Sequence, residues 1–302
     1  MEVKRDSFKA WVLAARPKTL TGAAVPVMIG LALAWSDAKG YAGGTEATFS
    51  MVAAVLCLLF AFIMQIDANL VNDLFDYLKG TDDRATRLGP ERACTQGWVS
   101  VERMRHAIAA TTVLACVVGL PLVLYGGWDM VFVGVFCVLF CFLYTTHLSY
   151  MGLGDVLVLV FFGLVPVCAT YYVQLHTLTL PVVAASLACG VVIDGLLLVN
   201  NFRDRDTDRQ AGKMTLVVRI GAKATLLLYL CVGIVACLIG LVFWLEGHPW
   251  AFFLPLLYLA CHVSTWMAMK RIWSGRELNN CLGATARNIF IYGLTVALGL
   301  LI

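Results

Sequence analysis

The chain has 302 residues, of which 61% are hydrophobic and only 14% are charged. Soluble domains average about 45–50% apolar and 25% charged residues, so this composition excludes an ordinary soluble globular domain. The formal net charge is only +3, which gives no support to a nucleic-acid partner.

Nine apolar runs follow one another along the chain, with short polar connections between them. A membrane-spanning helix needs about 20 mostly apolar residues, and polar or amphipathic flanks can extend the shorter runs. The pattern predicts one all-α, polytopic membrane domain over residues 1–302, with nine transmembrane helices and eight as the alternative. The N-terminus lacks an apolar core of signal-peptide length, so we expect the first helix to remain in the mature protein. The runs cover residues 20–35, 51–64, 108–125, 130–144, 156–173, 181–199, 225–245, 250–269 and 289–302.

Basic residues are distributed unevenly between the two sides of the predicted helices. If the N-terminus is cytoplasmic, 21 of the 22 Lys and Arg residues, Arg84 among them, lie in cytoplasmic segments, and only Lys39 lies outside. Cytoplasmic loops of membrane proteins carry such an excess. We therefore predict a multi-pass protein of the cell membrane, with the N-terminus cytoplasmic and the C-terminus extracytoplasmic. Cys94, in the loop after the second helix, should then react with an impermeant thiol reagent from the cytoplasmic side only.

Two predicted cytoplasmic segments carry clustered acidic residues directly after an apolar run. The first is NDLFDYLKGTDD, residues 72–83, and the second is NNFRDRDTDRQAGK, residues 200–213. Polar residues and a final glycine recur at the same spacing in both segments. On a helix this spacing places the polar groups on one face, and a glycine at the end favours a left-handed helix terminus. The matching residues are Asn69, Asn72, Asp76 and Gly80 in the first segment and Asn201, Asp204, Asp208 and Gly212 in the second.

This arrangement is electrostatically unfavourable by itself. Carboxylates at a helix C-terminus add to the negative end of the helix dipole, and Asp204 and Asp208, four residues apart, repel each other. A divalent cation would offset this cost. Oxygen ligands suit Mg²⁺, which typically bridges carboxylates to substrate phosphates, and basic side chains complete the way proteins hold polyphosphates. The sequence therefore predicts a Mg²⁺ site for a phosphorylated, lipid-like substrate.

The two acidic segments resemble the aspartate-rich motifs of the UbiA superfamily of intramembrane prenyltransferases. Four further stretches resemble the members of this superfamily that prenylate 1,4-dihydroxy-2-naphthoate in menaquinone biosynthesis, and they occur in order over nearly the whole chain. The resemblance implies nine helices around a central cavity. It also implies transfer of a polyprenyl chain from polyprenyl diphosphate to the naphthoate, with loss of diphosphate and CO₂. The stretches are RPKTL (16–20), RLGPER (87–92), GLGD (152–155) and AGKMTLVVRIG (211–221).

The resemblance also implies roles for individual residues, with Asp76 and Asp208 as the catalytic pair. The implied Mg²⁺ ligands are Asn72, Asp73, Asp76, Asp204 and Asp208. The implied diphosphate contacts are Arg16, Lys18, Lys79, Arg92, Arg203 and Lys213. Contacts with the acceptor or the prenyl chain are expected from Asn69, Tyr144, Asp155 and Asn201. Asp67 lies roughly 180° from Asp76 around the second helix, so we do not expect it in the site, and we expect Asp82 and Asp83, beyond Gly80, to matter less.

One departure bears on the choice of acceptor. Relatives that prenylate 4-hydroxybenzoate carry a Tyr-Pro-x-x-Lys-Arg stretch between the fourth and fifth helices, whereas this chain reads YTTHLSY over residues 144–150. The missing Lys-Arg pair favours the naphthoate. Two other hypotheses remain: a sister prenyltransferase with another aromatic acceptor, and an ion-coupled transporter in which an intramembrane acid such as Asp194 lines an ion path.

Overall fold

The computed structural model describes residues 3–40, 49–80, 87–144, 148 and 151–302. These residues are predominantly helical and include no β-strand, which confirms the predicted all-α class. Eight helices are long and apolar enough to cross a membrane, and a ninth apolar helix has 15 residues. In chain order they are α1 (Phe8–Ala38), α2 (Met51–Leu78), α3 (Val101–Gly126), α4 (Asp129–Leu143), α5 (Gly154–Leu175), α6 (Leu180–Gln210), α7 (Ala222–Leu245), α8 (Pro249–Ile272) and α9 (Leu278–Leu301).

The nine helices coincide with the nine apolar runs, so the predicted count holds except that α4 is shorter than a full span. Some sequence features lie outside the described residues. They are Asp82, Asp83, Arg84, the side chain of Lys39, and all of the 144–150 stretch apart from Tyr144 and Leu148.

The two helices that carry the acidic segments are unusually long. α2 has 28 residues and α6 has 31, which at 1.5 Å per residue gives roughly 42 and 46 Å against a hydrocarbon core of about 30 Å. Their final turns therefore extend beyond the lipid core. Both helices end as predicted, because Gly80 (φ +68°) and Gly212 (φ +70°) are left-handed.

α1 is broken where the RPKTL stretch occurs. Arg16 adopts a left-handed conformation (φ 52°) and ends the first piece of the helix, and a short 3₁₀ turn leads into the long piece, which begins at Leu20. The Asn69 side-chain amide of α2 donates to the Ala15 carbonyl at 2.9 Å and to the Thr19 hydroxyl at 2.8 Å. These bonds fix α2 against the break and hold Arg16 at one end of the bundle.

α5 and α6 touch through their backbones. A Cβ on Gly163 would lie 2.5 Å from the Ser186 carbonyl oxygen, and one on Gly190 would lie 2.9 Å from the Leu159 carbonyl oxygen. Small residues allow this close approach of membrane helices. α5 is also π-helical over Leu159–Leu164, a distortion that is frequent at functional sites. The glycine contact fixes the register of α5 on α6.

Large apolar side chains are exposed on the outside of the bundle. α3 exposes Val113 and Val117, and α4 exposes Phe132 and Phe136, each by more than half of its surface. A continuous apolar exterior would be unfavourable in water but is the ordinary surface of a helix in lipid. Together with the eight long apolar helices, it identifies a multi-pass membrane protein.

Candidate active site

A cavity of about 650 Å³ lies between helices α1 to α6. One end, here named the polar mouth, is lined by acidic, amide and basic side chains. The remainder is lined mostly by apolar residues, which reach Leu122 near the C-terminal end of α3 and Met130 at the start of α4. The polar mouth comprises Arg16, Asn72, Asp76, Arg87, Arg92, Asn200, Asn201, Asp204, Thr207, Asp208 and Lys213. The two acidic segments thus meet at one cavity.

The first acidic segment contributes Asn72 and Asp76, one turn apart on α2. Arg92 forms an ion pair with Asp76 at 2.8 Å and donates to the Asn72 carbonyl at 2.6 Å. Arg92 belongs to the RLGPER stretch, so this loop folds back over the end of α2. The ion pair holds the Asp76 carboxylate at the polar mouth.

Asp73 is placed differently from what the resemblance implies. Its side chain is fully buried, and its two oxygens accept the backbone N–H groups of Ala93 at 2.7 Å and Cys94 at 3.0 Å. One residue along a helix is a rotation of about 100°, which turns Asp73 away from the cavity that Asn72 lines. Asp73 therefore fixes the loop and is absent from the cavity lining in the described part of the chain.

The prediction that Cys94 is accessible to a thiol reagent is wrong, because Cys94 lies in the loop that Asp73 holds. The Cys94 side chain is buried beneath the same loop. Burial, followed by the nearby charge of Asp73, raises the pKa of its thiol to about 12, so at neutral pH the reactive thiolate is scarce. Cys94 cannot serve as a reporter of topology.

Arg203 holds the second acidic segment in place. Its guanidinium donates two hydrogen bonds to Asp204, at 2.8 and 2.5 Å, and one each to Asn200 and Asn279 at 2.8 Å. A Cβ on Gly89 would lie only 2.7 Å from the same guanidinium. Arg203 is 3% exposed and is not among the described residues that line the cavity. It positions Asp204, whereas the resemblance implied a diphosphate contact.

Asp208 supplies the observation that best fits a cation. One of its oxygens lies 3.6 Å from Lys213 Nζ, and the other, Oδ2, is buried with no hydrogen-bond partner among the described residues. Buried polar atoms without a partner are rare in proteins. An oxygen donor set of Asn72, Asp76, Asp204 and Asp208 suits Mg²⁺. The described residues contain no group of three or more His, Cys, Asp or Glu side chains that could hold a metal by itself.

The basic side chains of the polar mouth crowd one another. Burial, followed by the nearby charges of Arg92 and Arg16, lowers the pKa of the Arg87 guanidinium to about 9. The buried Nη2 of Arg16 has no hydrogen-bond partner in the described part of the chain. Cations that repel one another, together with the unused donor of Arg16, favour the binding of an anion, and guanidinium groups match phosphate oxygens particularly well.

Other predicted residues separate into two groups. Tyr144, Asp155 and Asn201 line the cavity. Lys18 and Lys79 are exposed, and Asn69 is hydrogen-bonded to α1. These last three residues are absent from the described lining of the cavity. Asp67 lies apart, accepting hydrogen bonds from Thr111 and Thr112. Sequence reasoning missed Thr207 as a lining residue, although its position three residues after Asp204 on the same helix face was a usable signal.

Comparison with known proteins places these observations in a family. The profile of the UbiA prenyltransferase family matches residues 23–293. The chain is 36% identical over 222 residues to 1,4-dihydroxy-2-naphthoate octaprenyltransferase from Escherichia coli (strain K12), covering 70% of this chain and 69% of that protein. It is 33% identical over 296 residues to the protein of the same name from Mycobacterium tuberculosis, covering 96% of each. A solved UbiA homolog from Archaeoglobus fulgidus, bound to DMAPP and Mg²⁺, shares the fold with a TM-score of 0.62 at 16% identity, over 95% of this chain and 98% of that one.

Proposed function

Because the chain belongs to the UbiA prenyltransferase family, we propose that it transfers a polyprenyl chain from polyprenyl diphosphate to 1,4-dihydroxy-2-naphthoate in menaquinone biosynthesis. The single observation that carries this proposal is the cavity itself. Its polar mouth combines carboxylates with crowded cations, and its remainder is apolar. That division matches an amphiphile with a diphosphate head and a hydrocarbon chain.

The polar mouth supplies what the departing diphosphate needs. Asn72, Asp76, Asp204 and Asp208 would hold Mg²⁺, which neutralises diphosphate charge when it is bound. Arg16, Arg87, Arg92 and Lys213 would contact the diphosphate oxygens directly. Charge develops on the diphosphate as the allylic C–O bond breaks, so fixed positive groups stabilise the transition state more than the ground state.

The apolar part of the cavity protects the prenyl fragment that remains when diphosphate leaves. When the C–O bond breaks, its electron pair leaves with diphosphate and an allylic carbocation remains. Tyr144, Phe140, Phe161 and Phe162 line the cavity, and the Phe140 and Phe161 rings lie 5.0 Å apart. Aromatic faces attract cations, and the apolar walls exclude the water that would capture the carbocation. The acceptor ring then provides the electron pair for the new C–C bond.

The identity of the acceptor rests on the relatives. The relatives from Escherichia coli and Mycobacterium tuberculosis are both named 1,4-dihydroxy-2-naphthoate octaprenyltransferase. The chain also lacks the Lys-Arg pair of the 4-hydroxybenzoate enzymes at residues 144–150. Replacement of the naphthoate carboxylate by the prenyl group releases CO₂. Family membership argues against the transporter hypothesis, as does the grouping of the cavity carboxylates at one end. We place the polar mouth at the cytoplasmic side of the cell membrane because the basic residues cluster there.

A transfer assay with a panel of acceptors tests this proposal. Membranes that contain the protein are supplied with Mg²⁺, labelled polyprenyl diphosphate, and either 1,4-dihydroxy-2-naphthoate or 4-hydroxybenzoate. We expect product with the naphthoate, with one CO₂ released per transfer, and little or none with 4-hydroxybenzoate. Comparable product from 4-hydroxybenzoate, or a product that keeps its carboxylate, would assign the chain to a sister activity.

A further inference from the structure

We infer that Asp155 is the base that takes the proton from the ring hydroxyl of the acceptor, and that Asp194 is the positioning residue behind it. This inference rests on the proposed function, because it concerns the second substrate of the same reaction. It starts from two carboxylates that lie apart from the diphosphate machinery. Asp155 begins α5 and Asp194 lies within α6.

The packing of α5 on α6 places Asp155 and Asp194 at facing positions of the two helices. The helices run antiparallel, and their closest contacts fix which residues are opposite. Leu159 lies against Gly190, and Gly154 lies against Leu197. Asp155 lies four residues before Leu159, and Asp194 lies four residues after Gly190. Both therefore lie between these two contacts.

Both carboxylates have an unused buried oxygen. Oδ1 of Asp155 and Oδ1 of Asp194 are inaccessible to solvent and accept no hydrogen bond from any described residue. Two carboxylates held close together in a dry region share one proton, because they cannot both ionise there. The described lining of the cavity includes Asp155 but not Asp194. Asp155 is therefore the carboxylate of this pair that can meet the acceptor, and Asp194 lies behind it.

Asp155 also differs from the other cavity carboxylates in its partners. Asp76, Asp204 and Asp208 each form an ion pair with a basic residue. Asp155 forms no such pair with any described residue, so no described basic side chain neutralises its charge. The hydroxyl of Tyr144 lies 3.9 Å from the Cβ position of Gly154, which places a second polar group of the cavity beside Asp155 to orient the acceptor.

The resulting step balances. Asp155 takes the hydroxyl proton, and the O–H electron pair increases the electron density of the ring. The ring carbon that bears the carboxylate forms the C–C bond to the allylic carbon, and the diphosphate leaves with the C–O electron pair. The keto acid so formed loses CO₂, which returns an electron pair to the ring as an enolate. The enolate recovers the proton from Asp155, so the base is regenerated without a further reactant.

The test compares Asp155→Asn and Asp194→Asn with Asp206→Asn, an exposed carboxylate on the same helix as Asp194. A positioned general base contributes about 10²–10⁴ in rate. We expect kcat for the naphthoate to fall about 100-fold or more in Asp155→Asn, to fall less in Asp194→Asn, and to stay unchanged in Asp206→Asn. The thermal stabilisation by Mg²⁺ with a prenyl thiodiphosphate, which is not cleaved, should be the same in all of them, and this also reports correct folding.

A second measurement separates a base from a merely structural residue. A ring-fluorinated naphthoate whose hydroxyl ionises more readily needs less help from a base, so the ratio of wild-type to Asp155→Asn rates should shrink with it. Asp155→Glu should recover part of the activity. Normal kcat in Asp155→Asn, or the same rate ratio for both acceptors, would overturn the inference while leaving the proposed function intact. Absence of naphthoate transfer by the wild-type protein would instead overturn both.

Discussion

Arg203→Lys distinguishes a residue that positions the site from one that binds the substrate. Arg203 is buried and makes four hydrogen bonds, two of them to the same carboxylate. Lysine keeps the positive charge but has only three donors and cannot reproduce the planar fork of a guanidinium, so at least one bond is lost. Hydrogen bonds to charged groups contribute about 1.5–3 kcal/mol each. We therefore expect the free energy of unfolding of the substrate-free protein to fall by about 1.5 kcal/mol or more.

Unfolding of the purified protein in detergent, measured without substrate, provides the assay. Arg209→Lys, at an exposed position on the same helix, is the matched control and should unfold like the wild type. Gly89→Ala should also destabilise the protein by displacing Arg203, since its Cβ would lie 2.7 Å from the guanidinium. If Arg203→Lys raises KM for polyprenyl diphosphate but leaves the unfolding of the substrate-free protein unchanged, Arg203 binds the substrate and the positioning role is refuted.

Three other predictions follow from the same structure. Asp73→Asn should destabilise the substrate-free protein by about 1–3 kcal/mol, because the side chain of asparagine cannot accept both backbone N–H groups. Unchanged unfolding with a weakened dependence of activity on Mg²⁺ would indicate instead that Asp73 is a metal ligand. The pKa of Arg87 is lowered to about 9 in the folded state. Below about pH 9 Arg87 is charged in both the folded and the unfolded state, so its charge then destabilises the folded state in full. Arg87→Gln should therefore leave the substrate-free protein equally or more stable at neutral pH while weakening inorganic diphosphate binding, and tighter binding would contradict this. Cysteines introduced as Arg209→Cys and Glu246→Cys should react with an impermeant reagent only from the cytoplasmic and extracytoplasmic sides, respectively, and the reverse pattern would invert the proposed topology.

The helices, and the glycines that end α2 and α6, could be predicted from the sequence. Long apolar runs have few alternatives to a membrane helix, so all nine were recognisable, and α4 differs only in length. Gly80 and Gly212 were predictable because a left-handed residue after a helix strongly favours glycine. The repeated spacing predicted one polar face on each of the two helices, and Asp76, Asp204 and Asp208 do line one cavity.

The sequence was not sufficient to separate ligands from the residues that hold them. Asp73 and Arg203 each adjoin a cavity residue along the chain, but one step along a helix turns a side chain by about 100°. What each then meets depends on a distant segment: the backbone of residues 93–94 for Asp73, and Asn279 for Arg203. The facing of Asp155 and Asp194 depends on the close contact of two glycines, which no spacing within one helix reveals.

The central claim is that the two acidic segments hold a metal-bridged diphosphate at the polar mouth, and a binding measurement on matched variants tests it most directly. Thermal unfolding of the wild type, Asp208→Asn and Asp206→Asn is followed with and without Mg²⁺ and a prenyl thiodiphosphate. A ligand at 100 times its Kd stabilises the folded state by about 2.7 kcal/mol. We predict this stabilisation for the wild type and Asp206→Asn, and its loss in Asp208→Asn, which should itself remain folded. Equal stabilisation of Asp208→Asn by the two ligands together, with normal prenyl transfer, would contradict the account.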